Sequence, residues 1–309
     1  MFVLVEGGLC IVIDTVGLSC EVPGLDVADL ERRGWNTRVT RSHTGGEVQE
    51  RVKAFVTVDA VTVEYLASVG WLTARASLPK VLGKANDAIL SWGDAVRALA
   101  VVTGDVAGGV VGDRLLPALP DWGLWRFDPV WAWACDPGPY LDALRVARLP
   151  RTQAVAEPGS VRWRSLRSGA IFGRFYDKSK EAGRAVELPA RLERQVRPKR
   201  QVVRVDGERV GGKLSDLSEA VCIGSIKGLL RDFGLDHPIP SVSASRGVLR
   251  GCYGDRKADN LWRELLAFQA CGGWPAGYSD GKVRRIEREC RRAGIGALSP
   301  DGELPALVI

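Results

Sequence analysis

The sequence predicts an α+β fold: an antiparallel-rich sheet with helices packed on one face, plus a smaller C-terminal helical domain. Three observations carry the prediction. Strand-like runs come in two rounds separated by a helix, the later runs alternate polar and apolar residues, and the pattern turns helical after residue 212.

Ile11–Leu18 forms the first predicted strand, and Asp26–Arg33 a short helix stopped by Gly34. Val52, Phe55, Val56, Val58, Val61 and Val63 support strands between Arg51 and Tyr65, broken near Asp59-Ala60, and Trp71–Ser77 is a further strand. Asp87 is placed to cap a helix from Ala88 to Val101, with Ile89, Leu90, Val96 and Leu99 on its apolar face. Gly104–Gly112 is expected as a loop. Leu124–Trp133 is a buried strand, Gly138-Pro139 starts a helix to Ala147, and Val161–Arg164 with Ala170–Lys178 suggest a hairpin. Arg191–Val205 supplies one or two strands. Composition changes at Asp206–Gly212, which sets a predicted boundary between residues 1–205 and a helical region, 213–300. In that region Asp216–Phe233, Ala258–Cys271 and Asp280–Gly294 are helices, and the stretch from Ser299 is a loose terminus.

The 309 residues are 46% hydrophobic and 26% charged, as expected of a folded soluble chain large enough for two cores. No apolar run approaches the roughly 20 residues that span a membrane, and the first residues lack the pattern of a secretory signal, so a cytoplasmic location is expected. Seven scattered cysteines without a Cys-x-x-Cys pair argue against disulfides and structural zinc. With only two histidines, His43 and His237, a bound divalent ion must rest on carboxylates, which suits Mg²⁺ or Mn²⁺. The net charge of +6 is compatible with nucleic acid. Basic residues recur from Arg145 to Arg204, interleaved with Trp163, Phe172, Phe175 and Tyr176, and cluster again from Lys282 to Arg292. Such residues contact phosphate, and aromatic faces stack on unpaired bases. The alternative for each cluster is a solvated basic surface.

The most informative stretch is Phe172–Glu181. Alternation puts Phe172, Arg174, Tyr176 and Lys178 on one face, with Ile171, Gly173 and Phe175 on the other. A phenol has a pKa near ~10 and is a poor nucleophile at neutral pH. Neighbouring ammonium groups favour the phenolate, and a metal on the scissile phosphate offsets transition-state charge. Tyr176, Asp177, Lys178 and Lys180 therefore have the parts for attack on a phosphodiester. The alternative is a half-buried strand tyrosine beside a solvated turn. Neither a Walker loop nor a convincing Ser/His/Asp set supports ATP hydrolysis or serine hydrolase chemistry.

Five segments, in order, resemble the phage and plasmid rolling-circle replication initiators of the gene II/X type, relatives of the Rep_trans plasmid initiators. They are Ile13–Leu18, Ala76–Leu82 with Asn86 beyond it, Trp125–Asp128, Phe175–Glu181 and Arg191–Arg194. The resemblance runs from about residue 11 to 205 and continues weakly through the helical tail. It implies nicking of one strand at an origin through a 5′-phosphotyrosyl bond, leaving a free 3′-OH for polymerase. Tyr176 would be the nucleophile, Lys178 and Lys180 would stabilise the phenolate or the pentavalent phosphate, and Asp128 and Glu193 would hold Mg²⁺ or Mn²⁺. The alternative for either carboxylate is a structural bridge to a neighbouring arginine. The expected DNA contacts are Arg126, Trp163, Arg164, Arg167, Arg174, Arg191, Arg284, Arg285 and Arg288, with Trp163 stacking on an unpaired base. On Lys282–Arg292, Val283, Ile286 and Cys290 approximate an apolar face that leaves the arginines to origin duplex.

The chain departs from the family at two points. It has no His-hydrophobe-His metal motif, and Trp163 stands where relatives often carry an upstream tyrosine. Origin duplex and single-stranded DNA are the implied partners, with a homodimer and host replication proteins as further possible ones and no membrane. The rival reading is a non-catalytic origin- or single-stranded-DNA-binding protein on the same scaffold.

Overall fold

The computed structural model describes residues 12–44, 47–85, 87–88, 90–112, 116–145, 152–165, 171–198, 203–205, 208–210, 212–271, 274–296, 298–299, 302–307 and 309. The chain forms two compact units, each assembled from separated stretches. The amino-terminal unit takes Cys10–Val130 and Gln195–Gly224, and the carboxy-terminal unit takes Trp131–Arg194 and Ser225–Ile309. These units interleave along the chain, whereas the division expected from the sequence is linear. Every strand pair named below is antiparallel, as the α+β reading requires.

In the amino-terminal unit, β1 (Val12–Glu21) is followed by α1 (Val27–Arg32), β2 (Asn36–Thr44), β3 (Glu47–Val58), β4 (Val61–Leu66) and β5 (Trp71–Ser77). Then come α2 (Leu78–Val81), α3 (Trp92–Ala100), a π-helical stretch (Val101–Gly108), α4 (Gly109–Val111) and β6 (Gly123–Trp133). The strand order is β2-β3-β4-β5-β1-β6. Alternation sorts its two faces. Val16, Leu18 and Cys20 of β1 sit opposite Ala76, Ala74 and Leu72 of β5, all buried, with α2 and α3 packed against these strands. Thr15, Gly17 and Ser19 take the other face, opposite Ser77, Arg75 and Thr73.

The β1–β6 register slips twice, between Ile13 and Thr15 and between Gly17 and Leu18. Asp14 and Trp125 are the residues left over at these two bulges. The second swings the Trp125 ring over Gly17, where an added Cβ would lie 2.5 Å from two ring carbons, and the indole N–H donates to Leu18 O at 2.9 Å. Gly17 is therefore required by a close approach and not by its backbone angle.

The expected helix from Ala88 starts later, at Trp92. Ser91 accepts from Asp94 N at 3.1 Å and completes a capping box with Asp94, a reciprocal pairing that Asp87 does not offer. The expected loop at Gly104–Gly112 instead continues the helix through the π-helical stretch into α4, because Val102, Ala107 and Val111 bury apolar side chains there. Asn86 and Ile89 lie outside the described residues.

The carboxy-terminal unit holds α5 (Pro137–Arg145), β7 (Thr152–Glu157), β8 (Ser160–Ser165), β9 (Ile171–Asp177), α6 (Lys178–Ala182) and β10 (Ala190–Arg194), with strand order β10-β9-β8-β7. Its apolar face carries Val161, Trp163, Phe175 and Leu192, each fully buried. Phe233 of α7 (Glu219–Phe233) lies 4.0 Å from the Trp163 ring, and Tyr140 of α5 lies 6.2 Å from Phe175. Beyond are α8 (Val242–Tyr253), α9 (Asp255–Ala270) and α10 (Asp280–Arg292), packed through Leu249, Leu261, Leu265, Ile286 and Cys290. The sequence reading lacks α8, although Ser241 as cap with Val242, Ser245 and Leu249 buried at helical spacing was its signal.

Replacing Gly17 with alanine is expected to destabilise the chain by about 1–3 kcal/mol through overpacking against Trp125. Urea denaturation checks this, and most of the cost should vanish in a Trp125→Leu background.

Candidate active site

β9 ends in the residues expected from the sequence to carry the chemistry. Tyr176 pairs with Arg191 of β10 and Ser160 of β8, and Arg174 pairs with Glu193 and Arg162. Residues directly opposite share a face, so Tyr176, Arg174, Arg191, Glu193 and Arg162 form one polar face of the carboxy-terminal sheet. The Arg174 guanidinium stacks 4.0 Å from the centre of the Tyr176 ring, and Lys178 Nζ lies 5.9 Å from it. Lys178 Nζ donates to Glu181 Oε2 at 2.6 Å, and Arg174 donates to Glu181 Oε1 at 3.0 Å. Burial pushes the Glu181 carboxyl up, but Lys178 and Arg174 together hold it below the usual carboxylate range.

The predicted alternation through Lys178 ends one residue early. Asp177 caps α6, its carboxylate accepting from Ser179 N at 2.9 Å and Lys180 N at 3.2 Å. Lys178 thus becomes the first helical residue, and the same helix brings Glu181 under it at i+3. Lys178 and Tyr176 are both buried, with Tyr176 4% exposed, whereas the Lys180 side chain is 68% exposed.

In the amino-terminal unit, Asp128 pairs with Thr15 and Arg126 with Gly17, which sets both on the polar face beside Trp125. Asp128 is fully buried, and both its oxygens accept from Arg126 Nε, at 3.0 and 2.9 Å, with a further bond from the other guanidinium nitrogen to Oδ2. Burial pushes its carboxyl from 3.8 up to about 6; Arg126 and Arg197 oppose the rise and Asp14 adds to it.

The expected metal pair is divided between the units, Asp128 in one and Glu193 in the other. Both oxygens of Asp128 are already engaged by a guanidinium, and among the described residues no group of three or more His, Cys, Asp or Glu is gathered to hold an ion. This donor set does not fit a prebuilt divalent-metal cage.

Trp163 is corrected outright. It is fully buried against Phe233, on the face opposite Arg162 and Arg164, so its ring has no surface to offer a base. Its flanking arginines suggested exposure, but alternation sends neighbours to opposite sides. Arg164 is exposed on β8 and Arg191 is buried opposite Tyr176. Arg284, Arg285 and Arg288 are exposed on α10, whose other face buries Val283, Ile286 and Cys290 as expected. Arg167 lies outside the described residues. The sequence reading gave no role to Glu181 or Asp14, though each sits inside a quoted segment, nor to Arg197.

No helix among the described residues is long and apolar enough to cross a membrane. No family model matches the chain, and no curated protein matches it. Among solved structures, a rolling circle replication initiator protein from Geobacillus stearothermophilus is similar over 91% of this chain and 97% of its own, at 12% identity and a TM-score of 0.34. At so low a TM-score the fold description rests on the strand order and packing above.

Asp128 provides a titration test. Its folded pKa lies above the unfolded one, so protonation stabilises the fold, fully below about pH 4, and that stability is lost as pH rises through about 6. Relative to Asp128→Asn, the wild type should lose stability between those limits, read from urea unfolding midpoints across pH.

Proposed function

We propose that this chain is a rolling-circle DNA replication initiator that nicks one strand at an origin by tyrosine transesterification. The observation that carries the proposal is the spatial grouping of the segments that resemble such initiators. Ile13–Leu18, Ala76-Ser77 and Trp125–Asp128 lie on three hydrogen-bonded neighbours, β5-β1-β6, within one unit. Phe175–Asp177 and Arg191–Arg194 pair residue for residue within the other.

In this reading the Tyr176 phenolic oxygen attacks the scissile phosphorus. The new O–P bond forms as the P–O3′ bond breaks, leaving the 5′-phosphate on tyrosine and the 3′ oxygen as the leaving group. The phenol loses one proton and the 3′ oxygen gains one, so the proton count is unchanged. Arg174, stacked on the ring, and Lys178, held through Glu181, supply positive charge beside the tyrosine. Lys180, 68% exposed and 3.8 Å from Asp177 Oδ2, would exchange that loose ion pair for a phosphate oxygen. No step is drawn through a metal. In this proposal residues 1–205 carry the nicking chemistry, and residues 213–300, with Arg284, Arg285 and Arg288 exposed, meet the origin duplex or a second subunit.

One observation favours the rival, a non-catalytic DNA binder: at 4% exposure, Tyr176 must be uncovered before any phosphate reaches it. Incubating the protein with labelled single-stranded fragments of its own replicon, in Mn²⁺ and separately in EDTA, and running denaturing gels decides between them. The nickase forms a covalent adduct that Tyr176→Phe lowers at least about a thousandfold. Tight binding of the origin fragment with no adduct in either condition would leave the binder. An adduct formed in Mn²⁺ and absent in EDTA would assign the ion to ligands assembled with the DNA phosphate.

A further inference from the structure

The open polar face of the amino-terminal sheet carries a groove of about 640 Å³ that the nicking chemistry does not use. Its floor is built by alternation across four strands: Thr57 of β3 and Thr62 of β4, whose hydroxyls bond each other at 3.2 Å, Thr73 of β5, and Thr15 of β1, whose hydroxyl donates to Asp14 Oδ2 at 3.2 Å. Arg75 of β5, opposite Thr62 and Gly17, and Lys80 of α2 also line it, both exposed, and neither has an ion-pair partner among the described residues. The β6 bulge lays the Trp125 ring along the wall over Gly17, half-buried, with its N–H fixed on Leu18 O. Of the two acidic residues in the lining, Glu64 is neutralised by Lys53 at 2.7 Å, and Asp59 sits at the β3–β4 turn.

We infer that this groove binds an unpaired stretch of nucleic acid, with Trp125 stacking on a base, Arg75 and Lys80 contacting phosphates, and the Thr73 hydroxyl donating to a sugar or base edge. The inference rests on the proposed role in handling origin DNA and extends it with a site separate from Tyr176. Three features select this occupant. A ring held in place by its own hydrogen bond meets a base with little loss of side-chain freedom, and stacking tolerates any sequence. Two exposed cations with no ion-pair partner among the described residues suit phosphates of a backbone. Hydroxyl groups on a sheet face, away from any strand edge, offer donors to a polar ligand but no backbone ladder to a peptide strand.

Fluorescence anisotropy of a labelled oligothymidylate over a salt series tests the site. Arg75→Ala/Lys80→Ala should weaken binding roughly tenfold or more and reduce the log–log salt slope by about 1.4, two phosphate contacts at ~0.7 each. Trp125→Leu should weaken binding, with Trp125→Phe restoring most of it, and a photo-crosslink from an iododeoxyuridine oligonucleotide should map to Trp125. Circular dichroism of each variant confirms folding, and the two-cation variant changes only exposed side chains. Unchanged affinity and slope in that variant, or no oligothymidylate binding by the wild type, would overturn the inference. The adduct assay on the same samples separates the two proposals. Groove-dependent binding without any adduct keeps the groove and removes the nickase, and an adduct with groove-independent binding does the reverse.

Discussion

The strands of each unit must bury one face under helices, and with a side-chain period of two that single constraint fixes where every other residue goes. In the amino-terminal unit Val16, Leu18 and Cys20 turn toward α2 and α3, which leaves Thr15 and Gly17 to the polar side. In the carboxy-terminal unit Trp163 and Phe175 turn toward Phe233 and Tyr140, which leaves Arg174 and Tyr176 to the other. A one-residue slip in either register would bury the arginines and expose the aromatics. The candidate site residues are thus positioned by the burial of their neighbours more than by contacts of their own.

Bulges and a cap then adjust what alternation provides. The slip at Trp125 moves an indole from the strand's own sequence of faces onto the polar side, and only glycine at 17 leaves room for it. Asp177 ends β9 by capping α6, and the turn of helix that follows returns Glu181 to Lys178 and Arg174. The result around Tyr176 is a compact set of paired charges. Arg126 and Asp128 form a second such set in the amino-terminal unit, where burial of the carboxylate outweighs the opposing pull of its guanidinium partner.

Much of this was legible in the sequence. The strands around Tyr176, the β8–β9 hairpin, the turn at Asp59 and the apolar face of α10 all follow from periodicity and turn residues. The amphipathic α8 carried a signal in Ser241, Val242 and Leu249 that the polar Ser-Ala-Ser-Arg context obscured. Trp163 was misplaced because local composition, two flanking arginines, outweighed the alternation that governs its direction. Other features lay beyond any local pattern. Nothing near Asp128 in sequence marks Arg197 or Asp14 as its electrostatic neighbours, and nothing near Gly17 announces Trp125, since each contact is made by a register that only the paired strands define.

Tyr176, at the polar end of β9, is the proposed nucleophile. Trapping the protein–DNA adduct, digesting it with trypsin and nuclease, and sequencing the nucleotide-bearing peptide by mass spectrometry tests that claim most directly. The account predicts a nucleotide on Tyr176 within the short peptide Phe175-Tyr176-Asp177-Lys178. A nucleotide on Tyr65, Tyr140, Tyr253 or Tyr278 would contradict it.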